Sequence, residues 1–263
     1  MYKYFTAYKN SLSGFLQYRL NLFLLLISHA VSFSAMIFLW MAVYNSGQSV
    51  GTYTLEHIIL YYAILTIVLI TIANGVGMGF EVSEQIQQGN MVHYLLKPYS
   101  YIFETLAKFF GESTINTVLL TPIVFILALI AQQFIAIPPI QNWILFLGSL
   151  LIGLIFYFLF YFLTALSSFW FERGRNFVYG MLVISLFLNG SILPLDLFPE
   201  QFQKINQLLP FQFLIFTPIQ TLLGRIENPA QLILTALVWI GVLSGLTAVV
   251  WKKGIRKFES VGK

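Results

Sequence analysis

Few side chains in this sequence could do chemistry, and they are unevenly placed. His29 is the one histidine deep inside an apolar stretch, Leu22–Tyr44, with Ser28, Ser32 and Ser34 near it. Ionisable groups in such surroundings are costly and are functional candidates by default. A metal ion needs three or four ligands, which one imidazole among serines does not supply, so no metal site is expected. Asn74 and Asn189 are further polar residues in apolar stretches. A hydrogen bond between helices is the plainer role for each. Phosphate chemistry is equally sparse. A nucleotide loop of the G-x-x-x-x-G-K-[ST] type uses backbone amides and a lysine to hold phosphates, and the sole Gly-Lys pair is Gly262–Lys263. "GVGMG", Gly75–Gly79, lacks the preceding strand that a G-x-G-x-x-G loop requires, and reads as close helix packing or a bend.

A concentration of acids and amides between two apolar stretches is "EVSEQIQQGNMVHYLLKP", Glu81–Pro98. Val82, Ile86, Gly89, Val92 and Leu96 recur at steps of 4, 3, 3 and 4 residues, and Leu95 widens the same face. That spacing predicts an amphipathic helix. Glu81, Glu84, Gln85, Gln88 and Asn90 fall largely elsewhere on it. Pro98 disfavours helix at Lys97, so the element should end there. Gly89 costs about 1 kcal/mol relative to alanine inside a helix, and would serve close backbone approach or a bend. A helix resting on anionic lipid carries Lys and Arg on its polar face. This one carries acids and amides instead, which suit a protein surface, although rest on lipid headgroups is the bland alternative.

The elements that must position these residues follow from composition. Of the 263 residues, 58% are hydrophobic and 9% are charged. A soluble domain is nearer 45–50% apolar and about 25% charged. The mean hydropathy of +0.81 points to an all-α polytopic membrane protein. Cysteine is absent, which excludes a disulfide framework and thiolate metal sites. Six windows are long enough for a span of roughly 20 helical residues: Leu22–Tyr44, His57–Met78, Thr114–Ile137, Trp143–Phe169, Asn176–Phe198 and Leu232–Trp251.

Leu208–Gly224 is also apolar, but Pro210 and Pro218 interrupt it. Charge decides its place. With six spans and both termini in the cytoplasm, the inner Lys and Arg are Lys3, Lys9, Arg19, Lys97, Lys108, Arg173, Arg175, Lys252, Lys253, Arg256, Lys257 and Lys263. Only Lys204 and Arg225 fall outside, a strong positive-inside pattern. A seventh span would throw the basic tail, residues 252–263, to the outer side. Residues 199–231, with Pro194 just before them and Pro199, Pro210 and Pro218 within, therefore read as an outer re-entrant or interfacial hairpin before span six. The arm 1–21 is no cleaved leader, because its apolar window is span-length and starts late. Phe5, Tyr8, Leu12 and Phe15 recur in it at helical spacing, which predicts an interfacial helix. One membrane domain, 1–263, covers the chain.

Three patches carry a family likeness. They are Ile86–Gly89 followed by "LLKP", Leu95–Pro98; "SSFWFE", Ser167–Glu172; and "NGSILPLDLFPE", Asn189–Glu200, followed by "LLPF", Leu208–Phe211, and Pro218. In order and position the chain resembles the membrane subunit of ABC transporters of the type-2 export class, in a prokaryotic branch formerly listed as a domain of unknown function. "ERGR", Glu172–Arg175, is more charged than that family's pattern, and no role is carried over to it. The resemblance implies a permease without catalytic residues, in a prokaryotic inner (plasma) membrane, working as a homo- or heterodimer with a separate ATPase subunit that binds ATP and Mg. It implies that Glu81–Pro98 is the coupling helix docked on that ATPase and that the N-terminal arm is a connecting helix. Ser28, His29, Ser32, Asn74 and Asn189 then become candidates for the substrate path. "SLSGFLQ", Ser11–Gln17, is similar to the ABC signature "LSGGQ", but without a nucleotide loop it makes no ATPase of this chain. No nucleic-acid partner is expected. An ion-gradient transporter would want charged or broken midplane helices and repeat symmetry, neither of which the sequence offers. A non-transporting membrane scaffold is the other alternative.

Overall fold

A computed structural model describes residues 2–15, 19–47, 50–130 and 138–261. The described chain is helical, and an isolated bridge between Val50 and Tyr53 is its one trace of β pairing. In order come α1 (Tyr2–Phe15), α2 (Arg19–Asn45), α3 (Leu55–Ile72), α4 (Asn74–Gln87), α5 (Met91–Leu95) and α6 (Tyr101–Ile130). Then follow α7 (Ile140–Ala165), α8 (Gly174–Leu188), α9 (Glu200–Gln207), α10 (Phe216–Leu222) and α11 (Pro229–Val261).

Four stretches among the described residues are long and apolar enough to cross a membrane: Ile27–Asn45, Leu55–Gln87, Ile140–Phe169 and Pro229–Phe258. They coincide with the first, second, fourth and sixth apolar windows. The third window overlaps α6, and its residues 131–137 lie outside the described residues. The fifth differs from expectation. Helix was expected over Asn176–Phe198, but α8 stops at Leu188. Asn189 closes it by donating its backbone N–H to the Ser185 carbonyl at 2.9 Å, and Gly190 turns the chain at φ +86°. A Cβ on Gly190 would stand 2.9 Å from the Tyr61 hydroxyl, so the site requires glycine for space as well as for sign of φ. Pro194 then opens a short 3-10 turn, Leu195–Leu197.

α3 and α4 form one continuous rod with a hitch. Thr54 caps its start by accepting from the His57 backbone N–H at 3.3 Å. Ala73, at the join, keeps helical dihedrals, but its N–H reaches back only three residues, to the Ile70 carbonyl at 3.4 Å. The "GVGMG" run begins there. Gly75 sits against the Tyr157 ring, and a Cβ on Gly79 would meet Val178 at 3.2 Å and the Tyr161 carbonyl at 3.3 Å. Close packing on α7 and α8 is therefore what these two glycines serve.

α7 is the centre of the fold, packed against α4, α8, α10 and α11. Its second half, "IFYFLFYFL", buries Phe156, Phe158, Phe160, Tyr161 and Phe162. Phe156 stacks on Phe213 with ring centroids 5.2 Å apart, bringing the hairpin region onto α7. α1 lies against α6: Tyr4 meets Tyr99 and Phe103 edge-on, and Ser11 abuts Gly111. Phe5 stays exposed, and the Leu12 and Phe15 side chains lie outside the described residues.

The stretch Leu208–Gly224 does not form one helix. It consists of a 3-10 turn, Pro210–Leu214, and α10, both packed on α7. Pro210 begins the first and Pro218 sits in the first turn of the second, where a missing N–H breaks no helical bond. Pro194 and Pro199 each stand immediately before a helical turn.

Candidate functional site

The segment Glu81–Pro98 is not the single helix its spacing predicts. Glu81 to Gln87 are the last two turns of α4, continuous with the rod that begins at Leu55. The helix ends because Gly89 adopts φ +75°. Its N–H returns to the Ile86 carbonyl at 3.3 Å, and that of Gln88 to the Glu84 carbonyl at 2.9 Å, a glycine-terminated end. Nothing lies within 4 Å of a Cβ placed on Gly89, so the glycine serves a turn and not a close approach. α5 follows, and Lys97 and Pro98 lie beyond it in a turn closed by the Lys97 N–H on the Tyr94 carbonyl at 3.2 Å.

The turn divides the apolar stripe. Val82 and Ile86 are buried inside the protein, whereas Val92, Leu95 and Leu96 are exposed. The exposed polar edge is Glu81, Glu84, Gln88 and Asn90. Its side chains bond one another: Gln85 donates to Glu81 at 2.8 Å, Gln88 to Glu84 at 2.7 Å and Asn90 to Gln88 at 2.9 Å. Gln87 donates to the Glu172 carbonyl at 2.6 Å and so ties the turn to the loop after α7. A groove of about 710 Å³ opens between them, with Phe169, Trp170 and Phe258 among its walls.

Beside this edge lies a polar cleft of about 190 Å³ between α4 and α6, lined by Asn74, Glu81, Gln85, Tyr101, Lys108 and Glu112 among others. Tyr101 donates to Gln85 at 2.5 Å, and Glu104 draws Lys108 to 3.5 Å and Lys97 to 3.7 Å. Glu112 stands just before the third apolar window. Burial, and then the Glu81 charge, push its carboxyl up to about 7, against the pull of Lys108. No periodicity in the sequence marks this cleft, because its walls come from two helices.

The five candidate path residues are not brought together. Ser28 and Ser32 are exposed on α2 and His29 is half-buried there; α2 packs chiefly on α3 at the edge of the bundle. Asn74 lines the cleft, with its Nδ2 buried and without a hydrogen-bond partner. Asn189 is buried and structural: its Oδ1 accepts from the Ser191 N–H at 2.9 Å, and its carbonyl accepts from the Phe216 N–H at 3.0 Å.

A second polar cluster sits at the opposite end of the rod and includes residues that sequence reasoning passed over. Tyr53 donates to Asp196 at 2.8 Å, and Gln220 donates to the Tyr53 hydroxyl at 2.7 Å. The Arg225 guanidinium lies 3.9 Å from the centre of the Tyr53 ring and 3.8 Å from the Asp196 carboxylate. It also donates to the Thr52 carbonyl at 3.1 Å and hydroxyl at 3.2 Å. Burial lifts the Asp196 carboxyl above the ordinary range, opposed by these partners. Asp196 stands among apolar residues, but Arg225 has Glu227 two positions on, and nothing in the spacing pairs it with Asp196.

A family model described as ABC-2 family transporter protein matches residues 30–262. No curated protein and no solved structure matches the chain.

Proposed function

The chain belongs to the ABC-2 transporter family, and from that footing we propose that it is the membrane-spanning permease subunit of an ATP-driven exporter. Two permeases, identical or related, enclose the path, and each engages a separate ABC ATPase that binds ATP and Mg. The chain itself has no catalytic role. One permease domain, 1–263, crosses a prokaryotic plasma membrane six times through α2, α3 with α4, α6, α7, α8 and α11. The 1–21 arm lies along the inner surface, both termini and the 252–263 tail are cytoplasmic, and 199–231 forms a re-entrant region outside. The positive-inside distribution of Lys and Arg supports this orientation. α8, at 15 residues, is short for a span. The irregular backbone after it is supplied with protein partners, since Tyr61 donates to the Gly190 carbonyl at 2.6 Å and Tyr62 to the Ile192 carbonyl at 2.8 Å.

Coupling runs through Glu81, Glu84, Gln85, Ile86, Gln88, Gly89, Asn90, Leu95, Lys97 and Pro98. The observation that carries this assignment is the exposed polar helix end of α4, its Gly89 turn and the exposed Leu95–Leu96 pair, presented together at one end of the bundle. An acid-and-amide edge flanked by exposed leucine suits a protein partner better than anionic lipid. The ATPase docks there, and its closure on ATP moves the α3–α4 rod. The test is cross-linking of Gln88→Cys to a co-expressed ABC ATPase, with Gln207→Cys as the control. An adduct from Gln88→Cys alone is expected. No adduct from Gln88→Cys in a complex that holds the ATPase would refute the assignment.

A further inference from the structure

The cluster at the far end of the rod joins three segments that are distant in sequence. Tyr53 precedes α3, Asp196 lies in the turn after α8, and Gln220 and Arg225 belong to α10 and its exit. The Tyr53 hydroxyl is the common partner: it donates to both Asp196 oxygens, at 2.8 and 3.1 Å, and accepts from Gln220. Tyr44, at the end of α2, adds a bond from its hydroxyl to the Tyr53 carbonyl at 2.6 Å. The contacts are few and directional; Tyr53 and Gln220 are buried, while the Arg225 and Asp196 side chains are 23% and 36% exposed and open the cluster to water on that side. A partly exposed ion pair is individually weak. The apolar packing of the neighbouring α7 has no such means of release.

The same rod carries the other end. Leu55–Gln87 spans 33 residues, about 50 Å of helix, and finishes at Glu84–Gly89. A displacement at one end of such a helix is carried toward the other by its backbone bonds, apart from what the Ala73 hitch takes up.

We infer that Tyr53, Asp196, Gln220 and Arg225 form a releasable latch that ties α10 and the segment after α8 to the head of the Leu55–Gln87 rod. The latch opens when the Glu84–Gly89 end is moved. The second statement rests on the coupling role proposed above; the first does not. In the closed state the latch holds α10 against the head of the rod. Release leaves α10 with its contacts to α7 and frees it from Tyr53.

Amide hydrogen exchange tests this on the full chain in lipid nanodiscs. Tyr53→Phe keeps the ring beneath Arg225 and removes every bond made by the hydroxyl, so it is the variant least prone to misfolding. Exchange over residues 208–226 should rise at least tenfold in Tyr53→Phe and in Asp196→Asn, while α7 exchanges as before. An unchanged rate over 208–226, or an equal rise throughout the chain, overturns the latch. With the ATPase docked, a non-hydrolysable ATP analogue should raise exchange over the same residues in the unsubstituted protein. If Gln88→Cys cross-links to the ATPase but the analogue leaves 208–226 unchanged, the link between the two ends is wrong and the coupling role stands. If Gln88→Cys does not cross-link, the coupling role fails with the link, and the Tyr53→Phe comparison still decides the latch.

Discussion

Replacing Glu112 by glutamine should stabilise the protein at high pH and leave it unchanged at low pH. Burial and the neighbouring Glu81 raise the Glu112 carboxyl from its ordinary 4.5 to about 7, with Lys108 pulling the other way. The folded state therefore holds this proton more tightly than the unfolded chain does. Below about pH 4.5 the group is protonated in both states and costs nothing. As pH rises from there to about 7 the unfolded chain ionises first, so stability falls; above about 7 the loss is complete. A shift of this size corresponds to roughly 3 kcal/mol. Partial exposure of the side chain and water in the cleft reduce the expected value to about 1–2 kcal/mol. Glutamine keeps the shape and cannot ionise. The Tm of Glu112→Gln should thus exceed that of the parent by about 2–8 °C near pH 8.5 and match it near pH 4.5. Intrinsic fluorescence during thermal unfolding in detergent reads the difference, with an intermediate point near pH 6 to locate the change. An equal shift at both extremes, or a lower Tm at high pH, would refute the account of the cleft.

Further outcomes follow from single positions. Gly75→Val should abolish folded yield in size-exclusion chromatography, because a Cβ there enters the Tyr157 ring, while Gly77→Val, with nothing within 4 Å, should be tolerated. Gly89→Ala should lower stability by about 1 kcal/mol through its positive φ alone, and Gly89→Asn by less, since asparagine tolerates that region better; matching melting temperatures for the three would contradict the turn. The chain has no cysteine of its own, so single-cysteine labelling is free of background. A membrane-impermeant maleimide should reach Gln207→Cys from outside the cell and Gln88→Cys only after the membrane is opened, and the reverse pattern would invert the proposed topology.

The legible part of this fold was the part encoded in uninterrupted apolar length. Four windows coincide with four long apolar stretches, the second of them hitched at Ala73 between α3 and α4. Prolines marked Leu208–Gly224 as broken; Pro210 opens the 3-10 turn, and the break before α10 falls at Ile215, three residues ahead of Pro218. Periodicity misled where a single glycine outweighed it. The spacing from Val82 to Leu96 fits one helical face, yet Gly89 turns left-handed and sends the two halves of the stripe to different surroundings, Ile86 into the protein and Leu96 out of it. Apolar length misled in the same way at Asn189–Phe198. There a polar cap and Gly190 end α8 in mid-window. The cleft and the latch were illegible for another reason. Each joins residues from separate helices, and no spacing along one chain segment records that Tyr53 faces Asp196 or that Glu81 faces Glu112.

A chain with 9% charged residues has few polar contacts to place, and their placement separates what is fixed from what can change. The second half of α7 is held by rings: Phe156 stacks on Phe213 at 5.2 Å, Phe158 meets Phe109 of α6 at 5.9 Å, and Tyr101 stacks on Trp251 at 5.5 Å nearby. Packing of this kind adapts poorly to displacement, because close-packed interiors lose contact outright when surfaces part. The α3–α4 rod runs beside that block and is buried along most of its length. Hydrogen-bonded side chains lie at its two ends, Tyr53 to Tyr62 at one and Glu81 to Gln88 at the other, and in its middle at Thr66 and at Thr71, which accepts from Thr117 of α6. Polar bonds can be exchanged with water or with a partner at small net change in free energy. The rod has a hitch at Ala73, whose N–H reaches back only to Ile70, and the glycines just beyond it seat the rod closely on α7 and α8. Under the coupling role proposed above, movement of the Glu84–Gly89 end passes through that hitch on its way to Tyr53.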